Sequence, residues 1–458
     1  MSQLAVNLDL VAKYNVPGPR YTSYPTAPRF NDQVTWPEVA ARLEQSQRAD
    51  RGLSLYFHIP FCESLCWYCG CTTVITTQKT RSLKYLTYLE KEMECASQRL
   101  HPGRQVVQLH FGGGTPTFLA PDQIRWLGER IRHYFHFAPD IEAGVEIDPR
   151  RLTRDHLTAL REAGFNRLSL GVQDFDPEVQ EAIHRIQPRA LTEQAIAWAR
   201  EEKFNSLNID LIYGLPYQTV DSFDKTLNSV LELAPDRLAV FSYAHVPWLK
   251  PHQRILEKEG ALPSAETKLQ ILKLVVEKLT ENDRYIYIGM DHFARPTDEL
   301  TVAQRQKTLQ RNFQGYSARA GADIYAFGLS AISQAEGVYW QNFKELPLYY
   351  AALDSGWEAF AKGYILNADD QIRGATITRL MCDMELDFAT LSHTLKIDFP
   401  SYFQTELAAM SDLEADGLLQ RHPGKITVTE TGRLFIRNIA TRFDRYLAQE
   451  PNKFSRTI

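Results

Sequence analysis

The sequence has 458 residues, enough for one large domain with a smaller one attached. Apolar residues make up 44% and charged residues 23%, the balance of a soluble globular protein, and no apolar run approaches bilayer-spanning length. A net charge of −5 supplies no overall basic field that would hold nucleic acid or an anionic membrane. The opening MSQLAVNLDLVAKYN has no basic stretch followed by an apolar one, so a secretory signal is not expected and the reading is a cytoplasmic protein.

In chain order, residues 1–50 form an N-terminal arm. Its GPRYTSYPT segment (Gly18–Thr26), rich in Pro, Tyr and Arg, reads as ordered irregular chain rather than helix. Residues 51–364 alternate apolar runs with amphipathic ones. Strands are predicted at Leu53–Phe61, Val106–Phe111, Ala143–Asp148, Arg167–Gln173, Ser206–Tyr213, Arg237–His245 and Tyr285–Met290. Helices are predicted over 80–100, 121–135, 154–163, 190–203, 221–233 and 265–281. Such alternation implies an α/β fold with a parallel sheet and crossover helices, either open or closed into a barrel. Residues 365–458 turn helical. Leu407–Leu419, a short strand at Lys425–Glu430 and a last helix from Gly432 suggest a winged-helix-like module. From Arg421 onward it carries eight Lys or Arg against three Asp or Glu, a bias that usually marks a solvated face.

Three middle strands carry a further signal in their two-residue alternation. Val145 and Ile147 oppose Gly144, Glu146 and Asp148. Leu168, Leu170 and Val172 oppose Ser169, Gly171 and Gln173, and Leu207, Ile209 and Leu211 oppose Asn208 and Asp210. Helices cover the apolar face of a parallel sheet, so the polar face lines the interior. Packed barrels fill that interior with aliphatic side chains. Carboxylates and amides there call for partners, either a bound polar ligand or a hydrogen-bonded structural network.

Six cysteines stand at 62, 66, 69, 71, 95 and 382. Cys95 and Cys382 are isolated and read as small buried hydrophobes. Cys62, Cys66 and Cys69 form C-x3-C-x2-C directly after the first predicted strand. Three thiolates on a four-iron cluster leave one iron open to a substrate. Zinc is the competitor, although no second ligand pair of suitable spacing follows. Cys71 follows Cys69 too closely for easy joint ligation.

This motif after the first strand of a βα array resembles the radical S-adenosylmethionine (SAM) superfamily. HIPFC (His58–Cys62), CWYCGC (Cys66–Cys71), HFGGGTPT (His110–Thr117), EIDPR (Glu146–Arg150), NRLSLGVQDF (Asn166–Phe175), NIDLIYGLP (Asn208–Pro216), GMDHFARP (Gly289–Pro296) and NFQGY (Asn312–Tyr316) resemble the oxygen-independent coproporphyrinogen III oxidases. GPRYTSYPT and the terminal FSRTI do so too. The resemblance implies an incomplete, open βα barrel with an irregular N-terminal arm and a mainly helical, winged-helix-like C-terminal domain. It implies a [4Fe–4S] cluster on Cys62, Cys66 and Cys69 with one open iron. Gly112, Gly113, Gly114 and Thr115 would approach the methionyl end of SAM closely. Glu146 would contact its polar groups, Tyr56 and Tyr68 would flank the cluster loop, and Ile332 would touch the same molecule. A second SAM would contact Gln173, Arg185, Asp210 and Ala244.

The implied reaction converts two propionates of coproporphyrinogen III to vinyl groups, giving protoporphyrinogen IX by way of a 5′-deoxyadenosyl radical. An electron donor and an electron acceptor are needed and are not identified by the sequence. No nucleic-acid or membrane partner and a monomeric chain are expected. Two alternatives stand. Another tetrapyrrole-handling radical SAM protein, such as a heme chaperone, usually has Phe in place of Cys71 and lacks GPRYTSYP. A redox-sensing winged-helix nucleic-acid binder conflicts with the negative charge.

Overall fold

The computed structural model describes residues 6–45, 48–258, 260–356, 358–449 and 454; the last four residues of FSRTI lie outside them. Six parallel strands follow one another across the sheet: β1 (Leu53–Ile59), β2 (Gln105–Gly113), β3 (His136–Ile147), β4 (Arg167–Gln173), β5 (Ser206–Tyr213) and β6 (Arg237–Ser242). The helices α1 (Thr80–Ser97), α2 (Pro121–Tyr134), α3 (Arg154–Glu162), α4 (Arg189–Glu201) and α5 (Val220–Leu233) lie between them in sequence, and α6 (Ala265–Thr280) follows β6. Their starts are legible in chemistry. Pro121 opens α2, and the side chains of Thr153, Thr219 and Ser264 cap α3, α5 and α6 by accepting backbone N–H bonds.

The other strands depart from simple alternation. β7 (Ile286–Gly289) does not continue the parallel series. It pairs antiparallel with β8 (His292–Ala294), which pairs antiparallel with β6. At the other edge β9 (Asp323–Phe327) runs parallel beside β1, followed by the antiparallel strands β10 (Ile332–Ala335), β11 (Val338–Asn342) and β12 (Phe360–Ile365). The result is one twelve-stranded sheet in the order β12-β11-β10-β9-β1-β2-β3-β4-β5-β6-β8-β7, whose first and last strands do not pair. It is the expected open barrel, extended at both edges. The predicted first strand ends at Ile59, because Pro60 has no N–H to give the ladder.

Alternation divides the sheet into two faces. Phe57, Phe111 and Phe327 point towards the helices and are almost fully buried, with Phe57 4.9 Å from Phe327 and 5.3 Å from Phe111 between ring centroids. Truncating such a ring to Ala costs roughly 3–5 kcal/mol. Ser54, Tyr56 and His58 alternate with them and face inward.

The arm is less irregular than expected. Helices at Leu8–Tyr14 and Trp36–Gln45 flank the Gly18–Thr26 segment, which is non-helical as expected. The C-terminal region opens with a helix at Ala368–Asp383 capped by Asn367. It contains a three-stranded antiparallel sheet of Glu385–Asp387, Lys425–Val428 and Leu419–His422, in that order. The predicted helix over Leu407–Leu419 is broken into Gln404–Ala408 and Ser411–Ala415. The one from Gly432 becomes short turns around Ile436–Ala440. Cys382 is buried as expected, whereas Cys95 is only half-buried.

Candidate active site

A cavity of about 600 Å³ opens at the C-terminal ends of β2–β5, where α/β barrels place their chemistry. Cys62, Cys66 and Cys69 all line it, together with Tyr68, Gly113, Gly114, Thr115, Glu146, Gln173, Arg185 and Asp210. Tyr56, Gly112, Ala244 and Ile332 do not line it. Gly112 lies beneath Glu146, 3.0 Å from its carboxylate at the position a Cβ would take. The Tyr56 ring stacks on His110, and Ala244 joins the site through Gln253, which donates to the carbonyls of both Ala244 and Tyr68. Ile332 begins β10, opposite Gln341.

The thiol loop is irregular but pinned from two sides. Trp67 N–H donates to the carbonyl of Ile183 at 3.0 Å, and the ring of His184 donates to that of Leu65 at 2.8 Å. From the other side His252 donates to the Cys69 carbonyl at 2.9 Å and Lys250 to that of Cys71 at 2.7 Å. Glycine is required where strand β2 meets this loop. Gly113 has φ +116°, and a Cβ there would lie 2.8 Å from the His58 ring; a Cβ on Gly114 would lie 2.6 Å from the Pro60 carbonyl oxygen.

Charge around the thiols is arranged by Asp148, Arg150 and Arg185. Arg185 is 6% exposed and donates to Asp148 at 3.1 Å and to Cys66 Sγ at 3.7 Å. Arg150 reaches the same two partners at 2.7 and 3.5 Å. Burial works to raise the Asp148 pKa, but the two guanidiniums outweigh it and bring it to about 2. Burial pushes the Cys62 thiol up to about 11, against a hydroxyl contact from Thr115 at 3.5 Å. A hydrogen bond from Cys71 lowers Cys69. Asp148 and Arg150 fall within the sequence motifs but were not singled out; the alternation that exposed Glu146 also places Asp148 on the inward face.

The polar face of the middle strands forms a hydrogen-bonded network and also borders the cavity. Asp210 accepts from Ser169 at 2.8 Å and Asn208 at 2.7 Å, a structural network, while still facing the cavity. Burial raises its pKa to about 6 despite those bonds.

The residues fit an iron–sulfur cluster and its co-substrate. Three thiols are distributed over one cavity lining and two cations lie against Cys66. This combination of open βα barrel, three-thiol loop and glycine-bordered cavity defines a radical SAM protein, and residues 56–230 match the radical SAM superfamily.

Residues 366–435 match the HemN C-terminal domain. The chain is 44% identical to the oxygen-independent coproporphyrinogen III oxidase of Synechocystis, over 98% of its own length and 97% of that protein's. It is 46% identical to that of Escherichia coli over the whole length of both. The solved structure of the Escherichia coli enzyme, described as a radical SAM enzyme, superposes with a TM-score of 0.92, covering 97% of this chain and 100% of the other. The chain belongs to the oxygen-independent coproporphyrinogen III oxidase family.

Proposed function

We propose that this chain removes two carboxyl groups from coproporphyrinogen III, turning two propionates into vinyl groups to give protoporphyrinogen IX without oxygen. The observation that carries the reading is the three-thiol cavity, embedded in a chain alike to the named oxidases over essentially its whole length. Each propionate loses one hydrogen atom from its β-carbon, then CO2 and one electron, leaving the vinyl group. That hydrogen is unactivated, so no side-chain base removes it. The cluster and SAM, when bound, supply a 5′-deoxyadenosyl radical able to abstract it.

In this reading Cys62, Cys66 and Cys69 hold three irons. Gly113, Gly114, Thr115, Glu146 and Tyr68 would border one SAM and Gln173, Arg185 and Asp210 a second, with Gly112, Tyr56, Ile332 and Ala244 set behind that lining. Arg150 and Arg185 temper the negative charge at Cys66, and Asp148 holds both in place. One electron donor and one electron acceptor serve the site. The domain limits are read as arm 1–50, barrel with its extension 51–364 and helical domain 365–458. Among the described residues no helix is long and apolar enough to cross a membrane.

The test is anaerobic reconstitution with iron and sulfide, followed by turnover of coproporphyrinogen III deuterated at the propionate β-carbons. Deuterium in 5′-deoxyadenosine and two SAM consumed per protoporphyrinogen are expected. Vinyl product without transferred deuterium would refute direct hydrogen abstraction. SAM cleavage with untouched coproporphyrinogen would refute the substrate.

A further inference from the structure

The barrel interior continues inward from the thiol cavity. A second chamber of about 400 Å³ is lined by residues of β2–β6 and shares Glu146, Ser169, Gln173 and Asp210 with the first. At the starts of β4 and β6, the end away from the thiols, the arginines are neutralised: Arg237 pairs with Asp298 and Glu299, and Arg167 with Glu299. The wall formed by β6 and β8 is different. There Phe241, His292 and Tyr316 face the space, the His292 ring meeting Phe241 and Tyr316 edge-on at 5.9 and 5.5 Å. Two guanidiniums lie against those rings, Arg20 over Phe241 at 5.7 Å and Arg311 over Tyr316 at 4.7 Å.

These groups are incompletely matched. Arg20 pairs with Asp291. Arg311 is 8% exposed and donates Nε and Nη2 to the Arg20 carbonyl, while its Nη1 is buried without a hydrogen-bond partner. His292 Nδ1 is likewise buried without one. The cations also work against each other. Burial first, then Arg437 and Arg311, lower the Arg20 pKa to about 9; burial, then Arg311, Arg20 and Arg237, hold His292 neutral with a pKa of about 3. Arg20 is ion-paired with Asp291 and partly exposed, but the buried Arg311 Nη1 and His292 Nδ1 have no partner and are costly unless a ligand joins them. Planar guanidiniums suit a carboxylate.

We propose that Arg20, Arg311 and His292 form a carboxylate subsite that holds a propionate of the tetrapyrrole not undergoing decarboxylation. The assignment rests on the substrate proposed above. Phe241 and Tyr316 cover the pyrrole edge, the two guanidiniums take the carboxylate, and the propionate due to react extends back towards Glu146 and Asp210. The arm thereby contributes to substrate selection through one side chain, Arg20, held by Arg311 from the barrel extension.

The test uses the reconstituted full chain and coproporphyrin III, the oxidised and unreactive analogue, with its tetramethyl ester as control. Binding is read by porphyrin fluorescence. Arg311→Gln and Arg20→Gln should each weaken coproporphyrin III binding by about tenfold to a hundredfold, leave the ester's affinity unchanged, and raise KM for coproporphyrinogen III. Arg311→Lys should recover part of the loss. Iron content and SAM affinity should match the parent, which separates a subsite from a folding defect. Wild-type affinity in both Gln variants would overturn the proposal. So would equal losses for acid and ester, or a selective loss of SAM binding, which would assign the carboxylate to SAM. A parent enzyme that binds coproporphyrin III but leaves coproporphyrinogen III unreacted overturns the function proposed above, whereas turnover with unchanged KM in both Gln variants overturns only the subsite.

Discussion

Asp210→Asn separates the binding role of this carboxylate from its cost to the fold. Asp210 is a half-buried residue of β5 with hydrogen bonds from Ser169 and Asn208, yet desolvation still raises its pKa from 3.8 to about 6. A carboxyl with a raised folded-state pKa binds protons more tightly in the native chain than in the unfolded one. Stability is therefore lost as pH rises from about 4 through about 6, and the full penalty, about 3 kcal/mol, is present above that. Asparagine keeps the shape without the titration. It also turns one acceptor into a donor facing Asn208, a pH-independent loss of about 1 kcal/mol. Urea denaturation of parent and variant without SAM, at pH 4.5 and pH 7.5, should show the variant gaining on the parent by about 2 kcal/mol at the higher pH. The same variant should keep its iron and form no protoporphyrinogen. A stability difference that does not change with pH would refute the ionised, desolvated Asp210. Full activity would remove it from the ligand-binding face.

Replacing Cys62, Cys66 or Cys69 by Ser should abolish the cluster, whereas Cys71→Ser should keep it and impair turnover; iron content and low-temperature EPR decide. Glu92 is fully buried, accepts bonds from Gly328 N–H, Asn342 and Tyr349, and has a pKa raised by burial to about 7. Its penalty therefore grows as pH rises from about 4.5 to about 7 and levels off above, so Glu92→Gln should gain stability relative to the parent between pH 5 and pH 7.5, read by thermal unfolding. Salt-sensitive binding of duplex DNA should be absent. Arg421, Lys425, Arg433, Arg442 and Arg445 are already paired with Glu414, Glu385, Glu430, Asp412 and Asp369. Tight binding at physiological ionic strength would refute the expectation that the C-terminal region does not read nucleic acid.

Legibility in the sequence followed the strength of the local pattern. β3, β4 and β5 were found because a clean two-residue period separates Leu168 from Ser169 and Ile209 from Asp210. The same period marks Glu146, Gln173 and Asp210 as inward. Asp323–Phe327 was missed because all five residues are buried, so no alternation survives. Tyr285–Met290 was found as a strand but placed in the parallel series, since periodicity says nothing of strand direction. The arm's tertiary role was invisible for a different reason. Arg437 donates to the carbonyls of Gly18 and Pro19, Asn438 to that of Tyr14, and Tyr21 to Asp444, all across about 420 residues. Ala244 and Ile332 carry no polar side chain, so only resemblance pointed to them.

The space in this barrel is encoded by missing side chains as much as by polar ones. Gly112 on β2, Gly144 on β3 and Gly171 on β4 occupy inward positions of three adjacent strands, where an ordinary barrel carries Val, Ile or Leu. A Cβ on Gly112 would press on Glu146, one on Gly144 would lie 3.1 Å from His110, and one on Gly171 would lie 2.9 Å from Gln173 and 3.3 Å from Arg185. Each glycine thus stands beside a polar side chain assigned to the interior and gives it room to turn towards a ligand. Aliphatic residues at these positions would close both chambers and leave Glu146, Gln173 and Asp210 buried without exchangeable partners. A fold that keeps such groups inside gains nothing from them in stability. The glycines and the carboxylates therefore make sense together, as walls of the two connected chambers beside the thiol loop.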